Sequence, residues 1–262
     1  MKKSAINLLG IPYDNKSSFL RGSAQAPSII RQILHNTSSS YVAENGVDIM
    51  DDVRLEDLGD LKVQNYLQIS HQIKALQKSS PFIFLGGDHS ITYQTVIAMN
   101  EKHGPFDILV FDAHTDLYDN FQGDRYSHAC PFARIMEDNL TGNLIQVGIR
   151  TVNAHQWEQA HKYGVEVITM REIDRLSQLS LTNPLYVSID LDAFDPAFAP
   201  GVSHHEPGGL TPREVINFLH KIDVPIIGAD IVEYNPTRDH QNITAALAAK
   251  LLKELTGIMA AS

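Results

Sequence analysis

Histidine and aspartate are concentrated in three short segments of the chain: GGDH at 86–89, DAHTD at 112–116 and DLD at 190–192. Each segment follows a run of apolar residues that is typical of a strand buried on both faces. Such side chains bind divalent cations, and carboxylates with a minority of imidazoles suit Mn²⁺ better than metals that prefer thiolates. The candidate metal ligands are His89, Asp112, His114, Asp116, Asp190 and Asp192.

The spacing of these residues favours one shared site. Alternate side chains of an extended chain point the same way, so Asp112, His114 and Asp116 are expected to aim at one point. Asp190 and Asp192 have the same spacing after another strand. Clustered carboxylates repel one another, and this set predicts two cations about 3.5–4 Å apart that share bridging carboxylates. The alternative for any single aspartate is a helix N-cap or a turn residue on a solvated loop.

The elements that must position these residues alternate between short apolar runs and longer segments of helical period. This alternation predicts an α/β fold, a three-layer αβα sandwich with a mainly parallel central sheet. Ligands of such sheets bind beyond the carboxyl ends of the strands, where the three segments lie. Strands are predicted at 5–10, 82–85, 108–111, 144–149, 165–169, 185–189 and 225–229, and helices near 26–34, 67–77, 90–102, 131–137, 154–162, 211–220 and 243–255. Thr211, Pro212 and Glu214 form the N-terminal signature of one helix.

Length and composition exclude several classes of protein. Nothing marks a linker in the 262 residues, so we expect one domain over residues 1–262. Lys and Arg number 21 against 31 Asp and Glu, and a formal net charge of −10 argues against nucleic-acid binding. No apolar run approaches the ~20 residues of a membrane-spanning helix. The single cysteine, Cys130, forms no internal disulfide, and a cytoplasmic location is expected.

Three motifs together resemble a known family. GGDHS at 86–90, DAHTD at 112–116 and SIDLDAFDP at 188–196 resemble the signatures of the ureohydrolases, the family of arginase and agmatinase. The resemblance runs from GIPYD at 10–14 to EPGG at 206–209. It implies an arginase-like three-layer αβα fold, two Mn²⁺ per subunit, and a homo-oligomer, commonly a trimer or hexamer.

The resemblance also divides the six candidate ligands between two ions. It implies that one ion is held by His89, Asp112, Asp116 and Asp190, and the other by His114 and Asp192, with Asp112 and Asp190 bridging. Two such ions lower the pKa of a shared water, which can then attack a guanidinium carbon and release urea. The expected substrate is therefore a small guanidino compound.

Two further residues match catalytic positions of the family. His128 matches a loop histidine that serves as a proton shuttle for the leaving amine, although Ala129 follows it where the family usually has glycine. The alternative is that His128 only caps the next helix. Glu206 stands where the family places a glutamate that pairs with the guanidinium, because a carboxylate both orients and neutralises that group.

Four neighbouring residues stay open to two interpretations. His204 and His205 stand where many family members have a Thr-Gly-Thr-Pro run, and either could line the pocket or lie on the surface. Asp88 and Asp195 could orient metal ligands or could be simple turn residues.

Three rival functions use the same residues differently. Cys130, two residues after His128, could be the nucleophile of a deiminase or amidinotransferase, but this leaves the aspartates unexplained. A mononuclear zinc deacetylase of the same fold needs only an Asp-His-Asp set, so His89 and Asp192 would be superfluous. A metal-free regulatory subunit would not need intact ligands.

Three departures from arginases favour agmatine over arginine as the substrate. Arginases place an asparagine, a serine and an acidic residue where this chain has Tyr118, Arg125 and Asn153. A neutral Asn153 would hold an α-ammonium less well than a carboxylate. If Arg125 faces the pocket, it would repel the ammonium of agmatine and attract a carboxylate such as that of guanidinobutyrate. Arginine and guanidinobutyrate are therefore the alternatives.

Overall fold

The computed structural model describes residues 4–36 and 39–261, and the eight strands in these ranges form one sheet. The strands are β1 (Ala5–Gly10), β2 (Arg54–Asp60), β3 (Phe82–Leu85), β4 (Asp107–Phe111), β5 (Leu144–Ile149), β6 (Glu166–Thr169), β7 (Leu185–Asp190) and β8 (Ile226–Val232). Their order across the sheet is β2-β1-β3-β8-β7-β4-β5-β6, and every neighbouring pair is parallel. Parallel neighbours need crossover connections, which explains the long segments between strands.

Helices cover both faces of the sheet. They are α1 (Ala26–Leu34), α2 (Ile69–Ala75), α3 (Ile91–His103), α4 (Pro131–Glu137), α5 (Ala154–Tyr163), α6 (Pro212–Leu219) and α7 (Ile243–Ala261). Side chains of α1, α6 and α7 pack in the core on one face, and those of α2 to α5 pack on the other. The predicted three-layer αβα sandwich is therefore confirmed.

The continuous apolar runs follow from burial on both faces. In β4, Leu109 and Phe111 lie in the core beneath α1, α6 and α7, whereas Ile108 and Val110 lie in the opposite core. Successive side chains of a strand point to opposite faces, so a strand with two apolar neighbours needs an apolar residue at every position.

The predicted start of α6 is also confirmed. The Thr211 side chain accepts a hydrogen bond from the Glu214 N–H, and the Glu214 carboxylate accepts one from the Thr211 N–H. This reciprocal pair satisfies two N–H groups at the helix start.

The last helix, α7, is longer than predicted and has 19 residues. Within the ranges that the structure describes, no helix is long and apolar enough to cross a membrane.

Strand β2 is absent from the sequence-based prediction. It lies at the edge of the sheet, beside β1, and most of its side chains are exposed or half-buried. Its sequence, RLEDLGD, therefore has no apolar run to reveal it. The backbone pairing with β1, and not side-chain burial, makes this segment a strand.

Strand β8 extends beyond its predicted end at residue 229, through Val232. The prediction stops where Asp230 interrupts the apolar run. In the structure Asp230 is fully buried, and its carboxylate accepts hydrogen bonds from the hydroxyls of Thr92, Tyr186 and Ser188. Three donors offset the cost of burying this charge, so the strand continues.

Candidate active site

Four neighbouring strands in the middle of the sheet end at the candidate site. Across the sheet they are β3, β8, β7 and β4, with β1 and β2 on one side and β5 and β6 on the other. The chain leaves β3 for β4 and fills the gap later with β7 and β8, so the strand order reverses here. Such switch points leave a crevice at the carboxyl ends of the strands. The three predicted segments all end in this crevice.

His89 is central to the first group of candidate ligands. Its Nδ1 lies 3.2 Å from Asp112 Oδ2 and 3.1 Å from Asp116 Oδ2. Asp190 Oδ2 is 3.2 Å from the same nitrogen. Three carboxylates thus converge on one atom of a fully buried imidazole.

The hydrogen bonds of Nε2, the other ring nitrogen of His89, show which tautomer the neutral ring adopts. Nε2 lies 3.0 Å from Ser188 Oγ, while the Ser188 hydroxyl donates its one hydrogen to Asp230 Oδ1 at 2.6 Å. Ser188 therefore accepts from an N–H at Nε2, and Nδ1 of a neutral His89 presents a lone pair. Nδ1 and Asp112 Oδ2 are both buried without a hydrogen-bond partner. The site therefore requires a positive charge at Nδ1, supplied by a metal ion or by a proton.

The second group consists of Asp112, His114 and Asp192. His114 Nδ1 lies 3.1 Å from Asp192 Oδ2 and 3.6 Å from Asp112 Oδ1. Within each group, the first being His89, Asp112 and Asp116, the ligand atoms lie within 4.8 Å of one another. Asp112 belongs to both groups, whereas Asp190 lies beside His89 Nδ1 and belongs to neither set.

The path of the chain through DAHTD differs from the extended geometry that we expected. Asp116 has a φ of 47°, in the left-handed region, so the chain turns after His114. Asp116 belongs to the group of His89 and His114 to that of Asp192, so the three side chains serve two groups and not one point.

Burial and mutual repulsion set the protonation of these carboxylates. Burial and the charges of Asp192 and Asp112 raise the pKa of Asp190 well above its usual value. Burial and the charge of Asp112 likewise raise the pKa of Asp116 to about 6. These carboxylates cannot all ionise in a dry site without compensating charge. Divalent cations supply that charge, so the residues fit a binuclear metal centre. We refer to these six residues as the His/Asp cluster: His89, Asp112, His114, Asp116, Asp190 and Asp192.

His128 lies beside the His/Asp cluster between two loops. Its Nε2 lies 2.8 Å from Ser18 Oγ, and its Nδ1 lies 2.9 Å from Glu233 Oε1. Although burial opposes it, the charge of Glu233 and the hydrogen bond to it raise the pKa of His128 to about 9. The N-cap of α4 is Cys130, so His128 does not cap that helix.

Glu233 is the site residue that the sequence analysis missed. It directly follows β8, is nearly fully buried and has a φ of 62°. Its Oε1 accepts hydrogen bonds from the backbone N–H of His89 at 2.8 Å and from His128 Nδ1 at 2.9 Å. Among the described residues, no hydrogen bond reaches its second oxygen. The signal that could have identified Glu233 is the same as for Asp112, namely an acidic residue directly after a buried strand.

A cavity of about 260 Å³ opens in front of the His/Asp cluster. Its walls include the rings of Tyr118 and Phe121 and the carboxylates of Glu206 and Glu233. Within the part of the chain that the structure describes, no Lys or Arg side chain lines it. A small pocket with acidic walls attracts a small organic cation.

Glu206 lies at the side of the cavity, next to the second group of ligands. Its Oε1 is 3.8 Å from His114 Nε2, and its side chain is 33% exposed. Its backbone carbonyl accepts a hydrogen bond from Arg150 Nε at 2.8 Å. Arg150 also donates to the carbonyls of Asp192 at 2.6 Å and Ala193 at 3.1 Å. This arginine therefore ties the Glu206 loop to the segment that contains Asp192.

The structure shows which of His204, His205 and Arg125 line the cavity. His204 lines the cavity, whereas His205 is exposed and its Nε2 lies 2.7 Å from the Pro200 carbonyl. Arg125 lies outside the cavity, 54% exposed, and pairs with Glu137 at 2.7 Å. It therefore does not select substrates in the way that we considered.

Asp88 and Asp195 each fix a loop of the site. The Asp88 carboxylate accepts from the backbone N–H of Lys16 at 2.9 Å, which anchors the loop that contains Ser18. The Asp195 carboxylate accepts from the N–H of Gly208 at 2.7 Å, close to Glu206 in the chain. Both residues act on the backbone and lie outside the two groups of ligand atoms.

Cys130 lacks the properties of a nucleophile. Its thiol is fully buried, and it does not line the cavity. Burial, with the charge of Asp116, raises the pKa of Cys130 to about 12. The reactive thiolate is thus nearly absent at neutral pH.

Comparison with known proteins identifies the family. A profile of the Arginase family matches residues 4–257. The chain belongs to the arginase family. This arginase-family chain is 45% identical to Arginase 1, mitochondrial, from Arabidopsis thaliana, over 97% of the chain and 80% of that relative. It is 32% identical to N(1)-aminopropylagmatine ureohydrolase from Thermus thermophilus, over 94% of the chain and 88% of that relative.

The solved structure of arginase from Medicago truncatula has the same fold. It matches with a TM-score of 0.93 and 44% identity, over 98% of this chain and 87% of that one. The arginase-family chain is therefore a hydrolase of guanidino C–N bonds, as the three sequence motifs predict. The cysteine-dependent enzyme and the zinc deacetylase lose their support, because the family of guanidino hydrolases accounts for the whole site.

Proposed function

We propose that this protein is a manganese-dependent arginase that hydrolyses arginine to urea and ornithine. The observation that carries the proposal is the buried His/Asp cluster facing a cavity whose walls contain Glu206 and Glu233 but, among the described residues, no Lys or Arg side chain. The relatives at 44–45% identity are named arginases, which supports arginine over agmatine.

The structure weakens the reasons for favouring agmatine. Asn153 caps α5 by accepting from the Gln156 N–H at 3.0 Å, and its amide donates to the Tyr118 hydroxyl at 2.6 Å. These two residues thus satisfy each other and the helix end, which explains them without reference to a substrate. Arg125 points elsewhere. The acidic walls attract the ammonium of arginine or agmatine, and they suit guanidinobutyrate, which has only a carboxylate, least well.

We propose that the His/Asp cluster holds two Mn²⁺ ions. His89, Asp112, Asp116 and Asp190 would hold one ion, and His114 and Asp192 would hold the other together with carboxylates of the first set. This donor set is rich in carboxylate oxygens, which favours Mn²⁺ over softer metals. When bound, two such ions neutralise the carboxylates and activate water for attack on the guanidinium carbon.

The protein groups around the cluster then orient the substrate and supply a proton. The second oxygen of Glu233 is available to pair with the guanidinium, and Glu206 is the other candidate for that role. The Nδ1–H of His128 donates to Glu233, and Nε2, which lies 2.8 Å from Ser18 Oγ, is the nitrogen that delivers a proton to the leaving amine nitrogen. A raised pKa keeps His128 protonated for this task.

A urea-release assay over three substrates tests the proposal. The manganese-loaded protein is assayed with arginine, agmatine and guanidinobutyrate, and kcat/KM is compared because discrimination is a difference in transition-state binding. We expect arginine to exceed the other two by more than about tenfold. A higher kcat/KM for agmatine would restore the sequence-based preference.

Two isosteric variants test which carboxylate, that of Glu233 or that of Glu206, pairs with the guanidinium. Glu233→Gln is expected to lower kcat/KM for arginine about 100-fold or more, because a buried charge that faces the transition state is removed. Glu206→Gln, at a partly exposed position, is expected to cost about tenfold. If Glu206→Gln were instead the more damaging change, Glu206 would be the partner of the guanidinium, as the family resemblance implies.

We further propose that residues 1–262 form one domain that assembles into a cytoplasmic trimer or hexamer, since closed symmetric assemblies are usual for such enzymes. Residues 1–3, 37–38 and 262 lie outside the described residues. Sedimentation of a single subunit at micromolar concentration would contradict the assembly. Because the Arabidopsis relative is named mitochondrial, cell fractionation must test the location.

A further inference from the structure

We propose that His204 is a specificity-determining residue that donates a hydrogen bond to the α-carboxylate of the substrate. The inference rests on the proposed function and adds to it the residue that binds the end of the substrate opposite the guanidinium. It concerns two entrance loops, residues 14–22 and 202–209, which lie at the cavity beyond the His/Asp cluster.

The ring of His204 lies over the cavity and touches both sides of it. Its centroid is 5.5 Å from the Phe19 ring of the other entrance loop. It is also 5.5 Å from the ring of His128 and 5.9 Å from that of His114. His204 therefore spans the space between the reacting groups and the exposed entrance, where the head of an amino acid bound by its guanidinium would lie.

The backbone around His204 is fixed, but its imidazole has no polar partner in the protein. Ser203 Oγ donates to the Leu20 carbonyl at 2.8 Å and accepts from Asn235 Nδ2 at 2.9 Å. Among the described residues, no hydrogen bond or ion pair involves either ring nitrogen of His204. A polar ring that is held in a cavity wall without a partner is available to a ligand.

The charges around the cavity decide which ligand group His204 takes. Carboxylates are present at Glu206 and Glu233, so an ammonium or guanidinium has better partners than an imidazole. A substrate carboxylate needs hydrogen-bond donors, and no Lys or Arg among the described residues lines the cavity. Of the three histidines in its wall, His114 and His128 already pair with Asp192 and Glu233, which leaves the ring of His204. An imidazole has at least one N–H in either protonation state. His204 is therefore matched to the α-carboxylate, and a carboxylate of the cavity wall to the α-ammonium.

The adjacent His205 provides a matched control. It has the same side chain and the next position in the same loop. Its ring is exposed and bonds to the Pro200 carbonyl at 2.7 Å, outside the cavity. An effect of the loop or of histidine content would appear in both variants, whereas an effect of substrate contact would appear only at His204.

The experiment compares His204→Ala, His204→Gln and His205→Ala with the wild-type protein, all loaded with manganese. We expect His204→Ala to lower kcat/KM for arginine about 10- to 100-fold, mainly through KM, because one hydrogen bond to a charged group is lost. The Ki of agmatine as an inhibitor of arginine hydrolysis should change less than about twofold, since agmatine has no carboxylate. His204→Gln, which keeps an N–H donor, should recover part of the loss, and His205→Ala should match the wild type. Calorimetric titration with ornithine should show the same order of affinities.

The outcomes separate this inference from the proposed function. Wild-type protein that releases no urea from arginine overturns the proposed function and this inference with it. If the wild type cleaves arginine but His204→Ala leaves kcat/KM unchanged, or weakens arginine and agmatine equally, only the role of His204 is overturned. An equal loss in His205→Ala would also overturn it.

Discussion

The His/Asp cluster and the entrance loops face the same cavity but are built differently. Side chains of the cluster are nearly all buried, and backbone groups at strand ends hold them: the His114 N–H donates to Asp112 at 2.6 Å, and the Asp192 N–H donates to Asp190 at 2.7 Å. In the entrance loops the backbone is anchored, as at Gly22, while several side chains are exposed. Phe19, for example, is 53% exposed.

This difference assigns different tasks to the two regions. Groups on strand ends are held to the precision that two metal ions and an attacking water require. Loop side chains tolerate replacement without disturbing the sheet, so they can change which guanidino compound enters. We therefore expect substitutions in the cluster to abolish hydrolysis of every substrate, and substitutions in the entrance loops to change the ranking of substrates.

The largest effect is expected from Asp190→Ala. The change removes a proposed shared ligand. It also removes the acceptor of the hydrogen bond from the Asp192 N–H, so metal should be lost. Because bound ions supply several kcal/mol of transition-state stabilisation, kcat should fall roughly 1000-fold or more for all substrates. Metal analysis after gel filtration and urea assays check this result. The exposed Asp223→Ala serves as the control, and a variant at position 190 that keeps both metals and its activity would show that the cluster is misassigned.

His128→Asn is expected to cost kcat about 100- to 10,000-fold, which is the usual contribution of a general acid. His128 contacts Ser18 and Glu233 and lies outside both groups of ligand atoms, so metal content should not change. Urea release and metal analysis are measured together, with the exposed His103→Asn as control. Loss of metal in the variant would make His128 a ligand and contradict its role as the proton donor.

Ser188→Ala is expected to weaken metal binding about 10- to 100-fold, which is typical when a group that orients a metal-binding histidine is lost. The hydroxyl accepts from His89 Nε2 and connects it to Asp230, so its removal frees the ring to rotate. Thr92→Val is the matched control, because the Thr92 hydroxyl also donates to Asp230 but forms no hydrogen bond with the His89 ring. Manganese titration of the metal-free proteins measures both. Equal affinities in the two variants would show that orientation of His89 does not limit binding.

The sequence named all six residues of the cluster because they follow buried strands, where an apolar run makes each strand end visible. The same rule failed at β8, since buried Asp230 breaks the run and conceals Glu233 behind it. The rule also could not detect β2, which is held by backbone pairing and has polar, exposed side chains. Neither spacing nor composition could distinguish His204 from His205, because loop residues have no fixed alternation and only the three-dimensional path shows which ring meets the cavity.

The smallest effect is expected from Cys130→Ala, which tests whether the chemistry belongs to the cluster alone. Cys130 follows His128 by two residues, yet its thiol is buried and its pKa is raised to about 12. Truncating it should cost about 1 kcal/mol of stability, measured by thermal unfolding, and leave kcat/KM for arginine unchanged. Chelation of the wild type should abolish the same activity, and added Mn²⁺ should restore it. Activity that survives chelation and is lost on Cys130→Ala would require a covalent mechanism, and the contrast between cluster and entrance would then no longer explain the reaction.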